Sequence, residues 1–362
     1  MGLLDLKHRI LAIGDSYMNL QMSVPGVGAS SETIYGIDYG FHPSGNSAIT
    51  ALTAGKHGAD CIFCTMLGDD NNGERLYNYY KSCNLDVSYI KKHHKYQTGL
   101  EFSAYDELNS NSYIVKGANA AFSKADIDNA FGAFPDLLVV PQDYMPINSE
   151  EQLYSNPSDR NSEIDKQIGE VPSNYREITV PQTSRPDSLA LYAINKAMER
   201  GIEMVVEYTE TTAMLPLDKV VGIKILVISD EMLKKVTGTA PISIEKTLSA
   251  LISFSSKIKA KYYVVQKGND TTFVYDGMYF EIPPAPAVIK SLSHQRYPMM
   301  HKTYTGALIA EYLETKNIVR ACKYAQIVSL MTRAPQGAFQ RVPNRNEVMK
   351  FLSDNSIDLD KI

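Results

Sequence analysis

Short apolar runs alternating with helical stretches set the rhythm of this chain. Arg9-Ile-Leu-Ala-Ile-Gly14 is apolar at odd and even positions alike, which predicts a strand covered on both faces and ended by a glycine turn. Residues 47–55 carry small side chains with Ile49 and Leu52 at helical spacing, and Cys61–Leu67 is the next continuous apolar run. After the turn Gly68-Asp69-Asp70-Asn71-Asn72-Gly73, a helix is expected from Glu74. Strand, helix, strand, helix is the order of a parallel sheet.

The rest of the chain keeps that order, with one exception early on. Residues 20–40 mix Ser, Gly and Tyr in short alternating pieces, and Thr98–Tyr105 with Ser112–Val115 reads as a hairpin. Leu137–Val140 predicts a buried strand ending at Pro141-Gln142-Asp143. Further strands are expected at Glu203–Glu207, Ile223–Ile228 and Tyr262–Val265, and a hairpin over Phe273–Ile282 turning at Asp276-Gly277. Helices are expected at Ser188–Arg200, Asp230–Val236, Ser243–Ser256 with Ser243 as N-cap, from Gly306, at Val319–Met331 and at Asn346–Ser353. Between residues 148 and 186 the composition turns to Ser, Asn, Asp, Glu, Pro and Arg, which marks an inserted surface excursion. The expectation is a single α/β domain over 1–362, with a mostly parallel central sheet.

Composition narrows the function classes. With 44% hydrophobic and 21% charged residues, the chain can bury a large core. A net charge of -5 gives no general attraction to nucleic acid or to an anionic membrane, so neither is expected as a partner. The start of the chain has no signal-peptide pattern and no apolar run is long enough to cross a membrane, so a cytoplasmic location is expected. Cys61-x-x-Cys64 lies inside an apolar strand, where residues three apart face opposite sides, so both are expected to be core cysteines. No metal site is expected from them, because a zinc pair needs a turn and further ligands.

Gly45-Asn46-x-Ala48, Gly58-Ala59 and Gly68-Asp69-Asp70-x-x-Gly73 are followed in order by Thr98-Gly99, Lys116–Ser123, Val236-Thr237-Gly238, Val264-Val265-x-x-Gly268, and Thr332-Arg333 with Gly337-Ala338 and Val342-Pro343. In order and spacing these motifs resemble the ribokinase, or PfkB, family of carbohydrate kinases, the first three being similar to its N-terminal signature. The resemblance implies a three-layer αβα fold with a small β lid built from about 16–40 and 97–115. It also implies ATP- and Mg2+-dependent phosphorylation of an alcohol group on a sugar or nucleoside, and pairing of exposed lid edges makes a homodimer an expectation.

The same resemblance exposes departures at the chemistry. The family's Gly-Ala-Gly-Asp turn, which supplies the base and the anion hole, corresponds to Met299-Met300-His301-Lys302, and no Asp or Glu occurs from Pro283 through Ile309. Lys302 stands where the base is expected, and a protonated ammonium cannot take up a hydroxyl proton. The Asn-x-x-Glu motif would fall on Ser229-Asp230-Glu231-Met232, changed at both key positions. On the sugar side, Asn19, His42, Asn46 and Asp143 remain polar and are the expected substrate contacts, although bulk at Phe41-His42 replaces a glycine pair. On the nucleotide side the expected contacts are Gly268, Ser229 and Gln266. Three readings follow: a sugar or nucleoside binder with impaired or lost transfer, a kinase with catalytic groups relocated to the 148–186 excursion, and an interaction module.

Overall fold

The computed structural model describes residues 8–27, 33–106, 110–142, 188–267, 271–284, 300–332 and 342–360. The 148–186 excursion, Asp143 and Gly268 therefore lie outside the described residues. The first part of the chain runs β1 (Arg9–Ile13), β2 (Tyr17–Ser23), β3 (Asp38–Ser44), α1 (Asn46–Lys56), β4 (Asp60–Gly68), α2 (Asn71–Ser82), β5 (Leu85–Asp86), β6 (Ile90–His93), β7 (Gly99–Tyr105) and β8 (Ser110–Val115). Then come α3 (Lys124–Phe131), β9 (Leu137–Val139), α4 (Leu189–Glu199), β10 (Glu203–Tyr208), β11 (Ile223–Ser229), α5 (Asp230–Thr237), α6 (Ile244–Lys257) and β12 (Ala260–Gln266). The hairpin β13 (Thr272–Tyr275) and β14 (Tyr279–Ile282) precedes α7 (Met300–Thr315), α8 (Ile318–Thr332) and α9 (Arg345–Asp354).

The main sheet has the order β14-β13-β12-β11-β10-β9-β1-β4-β5, with β6 paired to β4. Its pairs are parallel from β12 through β5, and only the β12–β13–β14 hairpin edge is antiparallel. The period-two alternation of each strand sends side chains into two cores. Ile10, Ala12, Val205, Ile225 and Val264 pack with α1, α7 and α8, whereas Leu11, Ile13, Met204, Leu226 and Val265 pack with α3, α4 and α6. That is the three-layer αβα arrangement expected of apolar strands with no polar face. Cys61 falls in the first core and Cys64 in the second, as their spacing in β4 requires. Burial pushes both thiols above the usual range, Cys61 and Cys64 alike.

Strand order reverses about β1, whose neighbours are β4 on one side and β9 on the other. In open parallel sheets the crevice beyond the strand ends at such a reversal is where ligands sit. Here that edge is formed by Asp15 after β1, Gln142 after β9 and Glu207 near the end of β10. A second sheet, in the order β3-β2-β7-β8, leaves the main sheet directly after β1.

Some boundaries differ from the sequence reading. α7 starts at Met300 and not at Gly306, so His301 and Lys302 belong to the first turn of a helix and not to a preceding turn. α2 starts at Asn71 because Asp70 caps it, its side chain accepting from Gly73 N at 2.8 Å. Asn46 is the first residue of α1 rather than part of the loop before it.

Candidate functional site

The first turn of α7 lies across the carboxyl ends of β9, β10 and β12. Alternation along β10 places Val205 and Glu207 on the α7 side of the sheet, and Lys302 and Thr305, three apart on the helix, share the face that meets them. Lys302 Nζ donates to Glu207 Oε1 and to Gln142 Oε1. The other carboxylate oxygen, Oε2, accepts from Thr305 Oγ1 at 3.0 Å. Glu207, Lys302, Gln142 and Thr305 are all buried. Beside them the exposed His301 ring places Nδ1 2.8 Å from Gln266 Oε1, at the end of β12.

Electrostatics explains why Lys302 does not stand alone. The first turn of a helix is the positive end of its dipole, so a cation there is disfavoured by about 0.3–1 kcal/mol. Burial adds a desolvation cost of several kcal/mol for each ion. The Glu207 carboxylate offsets both. Burial by itself would raise the Glu207 carboxyl above its usual range, but the Lys302 charge and hydrogen bond, His301 and the Thr305 hydroxyl together bring it below that range.

Gln142 is left half used. Its carbonyl end must face the ammonium, since Lys302 can only donate, so the amide orientation is fixed by chemistry. Its Nε2 is buried and has no hydrogen-bond partner among the described residues. A buried donor without an acceptor costs about 1–3 kcal/mol.

Of the residues predicted for the sugar side, Asn19 and His42 lie on the second sheet, and Asn46 lies on α1. Asn19 on β2 and His42 on β3 are directly opposite in the antiparallel register, and Asn19 lies beside Glu101 of β7. Asn19 Oδ1 accepts from Ser103 Oγ at 3.0 Å, and Ser44 Oγ donates to Glu101 Oε2. Burial lowers the His42 ring to about 4, so it is neutral at pH 7. Asn46 opens α1 behind Gly45, whose φ of 108° and close approach to the Asp15 carbonyl oxygen leave no room for a Cβ, which would sit 2.2 Å away. Asp15 itself is buried and holds Lys116 Nζ at 2.7 Å and the Tyr17 hydroxyl.

Of the residues predicted for the nucleotide side, Gln266 meets His301, whereas Ser229 caps α5, its Oγ accepting from Met232 N at 3.1 Å. No group of three His, Cys, Asp or Glu side chains that could hold a metal ion occurs among the described residues. Sequence reasoning missed Glu207, Gln142, Thr305 and the Asp15–Lys116 pair. A signal for Glu207 did exist: it is an acidic residue following the apolar run Met204-Val205-Val206 of a strand buried on both faces.

A family model described as pfkB family carbohydrate kinase matches residues 7–140. The ribokinase of Haemophilus influenzae is 20% identical over 356 residues, spanning 96% of this chain and 99% of the relative. The ribokinase of Bacillus subtilis is 25% identical over 136 residues, 37% of this chain and 46% of the relative. Among solved structures, Arabidopsis thaliana ribokinase complexed with ribose and ATP superposes with a TM-score of 0.68 at 16% identity, covering 96% of this chain and 99% of that one. Ribokinase from Cryptococcus neoformans in complex with ADP gives 0.67 at 14% identity, covering 96% and 100%. With the αβα layers and strand order described above, these likenesses show a ribokinase-like fold, whose residues 7–140 match the model of the pfkB carbohydrate kinase family.

Proposed function

We propose that this chain binds a small sugar or nucleoside and that its ATP-dependent phosphoryl transfer is impaired or lost. One observation carries the reading: the position expected to hold the catalytic base holds Lys302, buried and paired with Glu207 and Gln142. A transferring phosphoryl group needs a base for the hydroxyl proton and donors aimed at developing negative charge. Lys302 supplies no base, and its charge is already spent on a carboxylate that would repel a phosphoryl oxygen. The residues of this turn therefore do not fit the γ-phosphate of ATP with its Mg2+. Loss of a general base alone costs about 10² to 10⁴ in rate, and a disturbed anion hole about 10² to 10³.

The polar inner face of the second sheet supports the binding half of the proposal. Asn19, His42, Ser44 and Ser103 are buried there although nothing in a plain core would call for them. In this reading the sheet is a lid over a polyol, with Asn19, His42, Asn46 and Asp143 as its contacts. Its other face is apolar and exposed, and we propose that it pairs two copies of the chain. No helix among the described residues is long and apolar enough to cross a membrane, in keeping with a proposed cytoplasmic location.

A second reading has one observation in its favour. The carboxylate absent from α7 is delivered to the same turn by Glu207, so an active kinase with a relocated catalytic group, using ATP and Mg2+, is the competing account. The test is calorimetric titration of pentoses, hexoses and nucleosides, with and without ATP, beside an ADP-release assay. Binding without nucleotide and without turnover is expected. Turnover that is abolished by Glu207→Gln would establish the competing account instead.

A further inference from the structure

The Lys302–Glu207–Gln142 cluster has two properties that a phosphate-binding helix end lacks. It is already neutralised from within the chain, because the Glu207 carboxylate takes the ammonium that an incoming anion would need. It also keeps one unspent donor, Gln142 Nε2, on a residue only 2% exposed. The free N–H groups of a first helical turn ordinarily attract phosphate. With a carboxylate fixed at that turn, a second anion would face repulsion, whereas an uncharged hydroxyl or carbonyl oxygen would meet a donor and no net charge.

We propose that Glu207 sets the ligand class of this site: it acts as an internal anion at the first turn of α7, excluding phosphate and phosphorylated molecules, so that the site takes an uncharged polyhydroxylated ligand whose oxygen is held by Gln142 Nε2. The ligand class rests on the reading that the chain binds a sugar or nucleoside. The exclusion of anions does not. Thr305 belongs to the same device, since its hydroxyl holds the carboxylate oxygen turned away from Lys302. Removing the Glu207 charge should open the turn to an external anion, with Lys302 and Gln142 Nε2 as its donors.

Inorganic phosphate is the probe, because it tests the exclusion without any sugar being identified. Thermal melts in phosphate are compared with melts in chloride of matched ionic strength for the wild type, Glu207→Gln, Glu207→Gln with Lys302→Met, and Glu207→Gln with Gln142→Met. The wild type should show no phosphate-specific shift. Glu207→Gln should gain a rise of about 2 °C or more, which the added Lys302→Met abolishes and the added Gln142→Met reduces. A wild type stabilised by phosphate as strongly as Glu207→Gln overturns the proposal, and so does a folded Glu207→Gln that ignores phosphate. Should Glu207→Gln not fold in chloride, recovery on refolding in phosphate supports the proposal, and recovery in neither buffer overturns it. A wild type that binds no sugar or nucleoside in the calorimetric panel would refute the binding reading while leaving the phosphate result to stand or fall by itself.

Discussion

A charge inside a protein is tolerated only with a partner, and the buried charges of this chain follow that rule. Lys302 and Glu207 neutralise each other beneath α7, and Glu311 on the same helix is fully buried between Arg320, with Nε at 2.9 Å, and Arg345, with Nη2 at 3.0 Å. Close to the second cluster, His57 Nδ1 lies 2.7 Å from the Tyr324 hydroxyl, and burial, with the nearby Arg345 and Lys56 charges, lowers the ring to about 4. An unfolded His57 takes up its proton near pH 6.5, the folded one only near 4, so the unfolded state binds more protons between them. Its contribution to stability is complete above pH 6.5 and is lost as pH falls towards 4, by up to about 3 kcal/mol. His57→Gln should flatten that part of the acid limb in urea melts at pH 7 and pH 5; a limb as steep as the wild type's would contradict this. At this scale the sequence was legible where a motif was broken and silent where a pair was made. Lys302 stood out because a carboxylate was expected there. Its partners could not be found, because Glu207 lies 95 and Gln142 160 residues earlier and only the sheet order brings them under one helix turn.

Helix α7 delivers Lys302 to its partners because it lies tight against α1. At Gly306 an added Cβ would come within 2.5 Å of the Thr50 carbonyl oxygen and 2.7 Å of Thr53 Cβ. In an exposed helix interior Gly→Ala gains about 1 kcal/mol. Here the contact is with backbone, which cannot swing aside, so Gly306→Ala should instead destabilise by about 1–3 kcal/mol in denaturant melts. A stabilised variant would mean that α1 and α7 are not packed as described. Elements with strong periodicity were readable from the sequence, down to the Ser243 cap, which accepts from Lys246 N at 3.3 Å. The start of α7 was not readable, since Met-Met-His-Lys-Thr-Tyr offers neither a capping residue nor an acidic first turn. β2 was hidden for a different reason. Tyr17–Ser23 turns its polar residues Asn19 and Gln21 inward and keeps Leu20 on the opposite, outer face, the reverse of the usual pattern.

On the scale of the molecule, that reversal leaves Phe41, Leu100, Phe102, Tyr113 and Val115 exposed on one face of the second sheet. The registers put Phe41 beside Leu20, Leu20 beside Phe102, and Phe102 beside Tyr113, so the residues form one continuous surface. A contiguous apolar face of this kind marks an interaction surface, and the proposed pairing of two copies accounts for it. Light scattering on a sizing column should give twice the chain mass for the wild type and a monomer for Tyr113→Glu; a monomeric wild type would contradict the pairing. The αβα layering and the parallel sheet were foreseeable from the rhythm of apolar runs, whereas the meeting of β9, β10 and α7 depends on a strand order that no local pattern encodes. That meeting decides the central claim, which is that the turn proposed for phosphoryl transfer is closed by its own ion pair. The most direct measurement is ADP release by the wild-type chain with Mg2+ and ATP across pentoses, hexoses and nucleosides. The expected rate is indistinguishable from the substrate-free background for every compound, including those that bind; substrate-dependent release near about 1 s⁻¹, the low end of ordinary turnover, would contradict the closure of that turn.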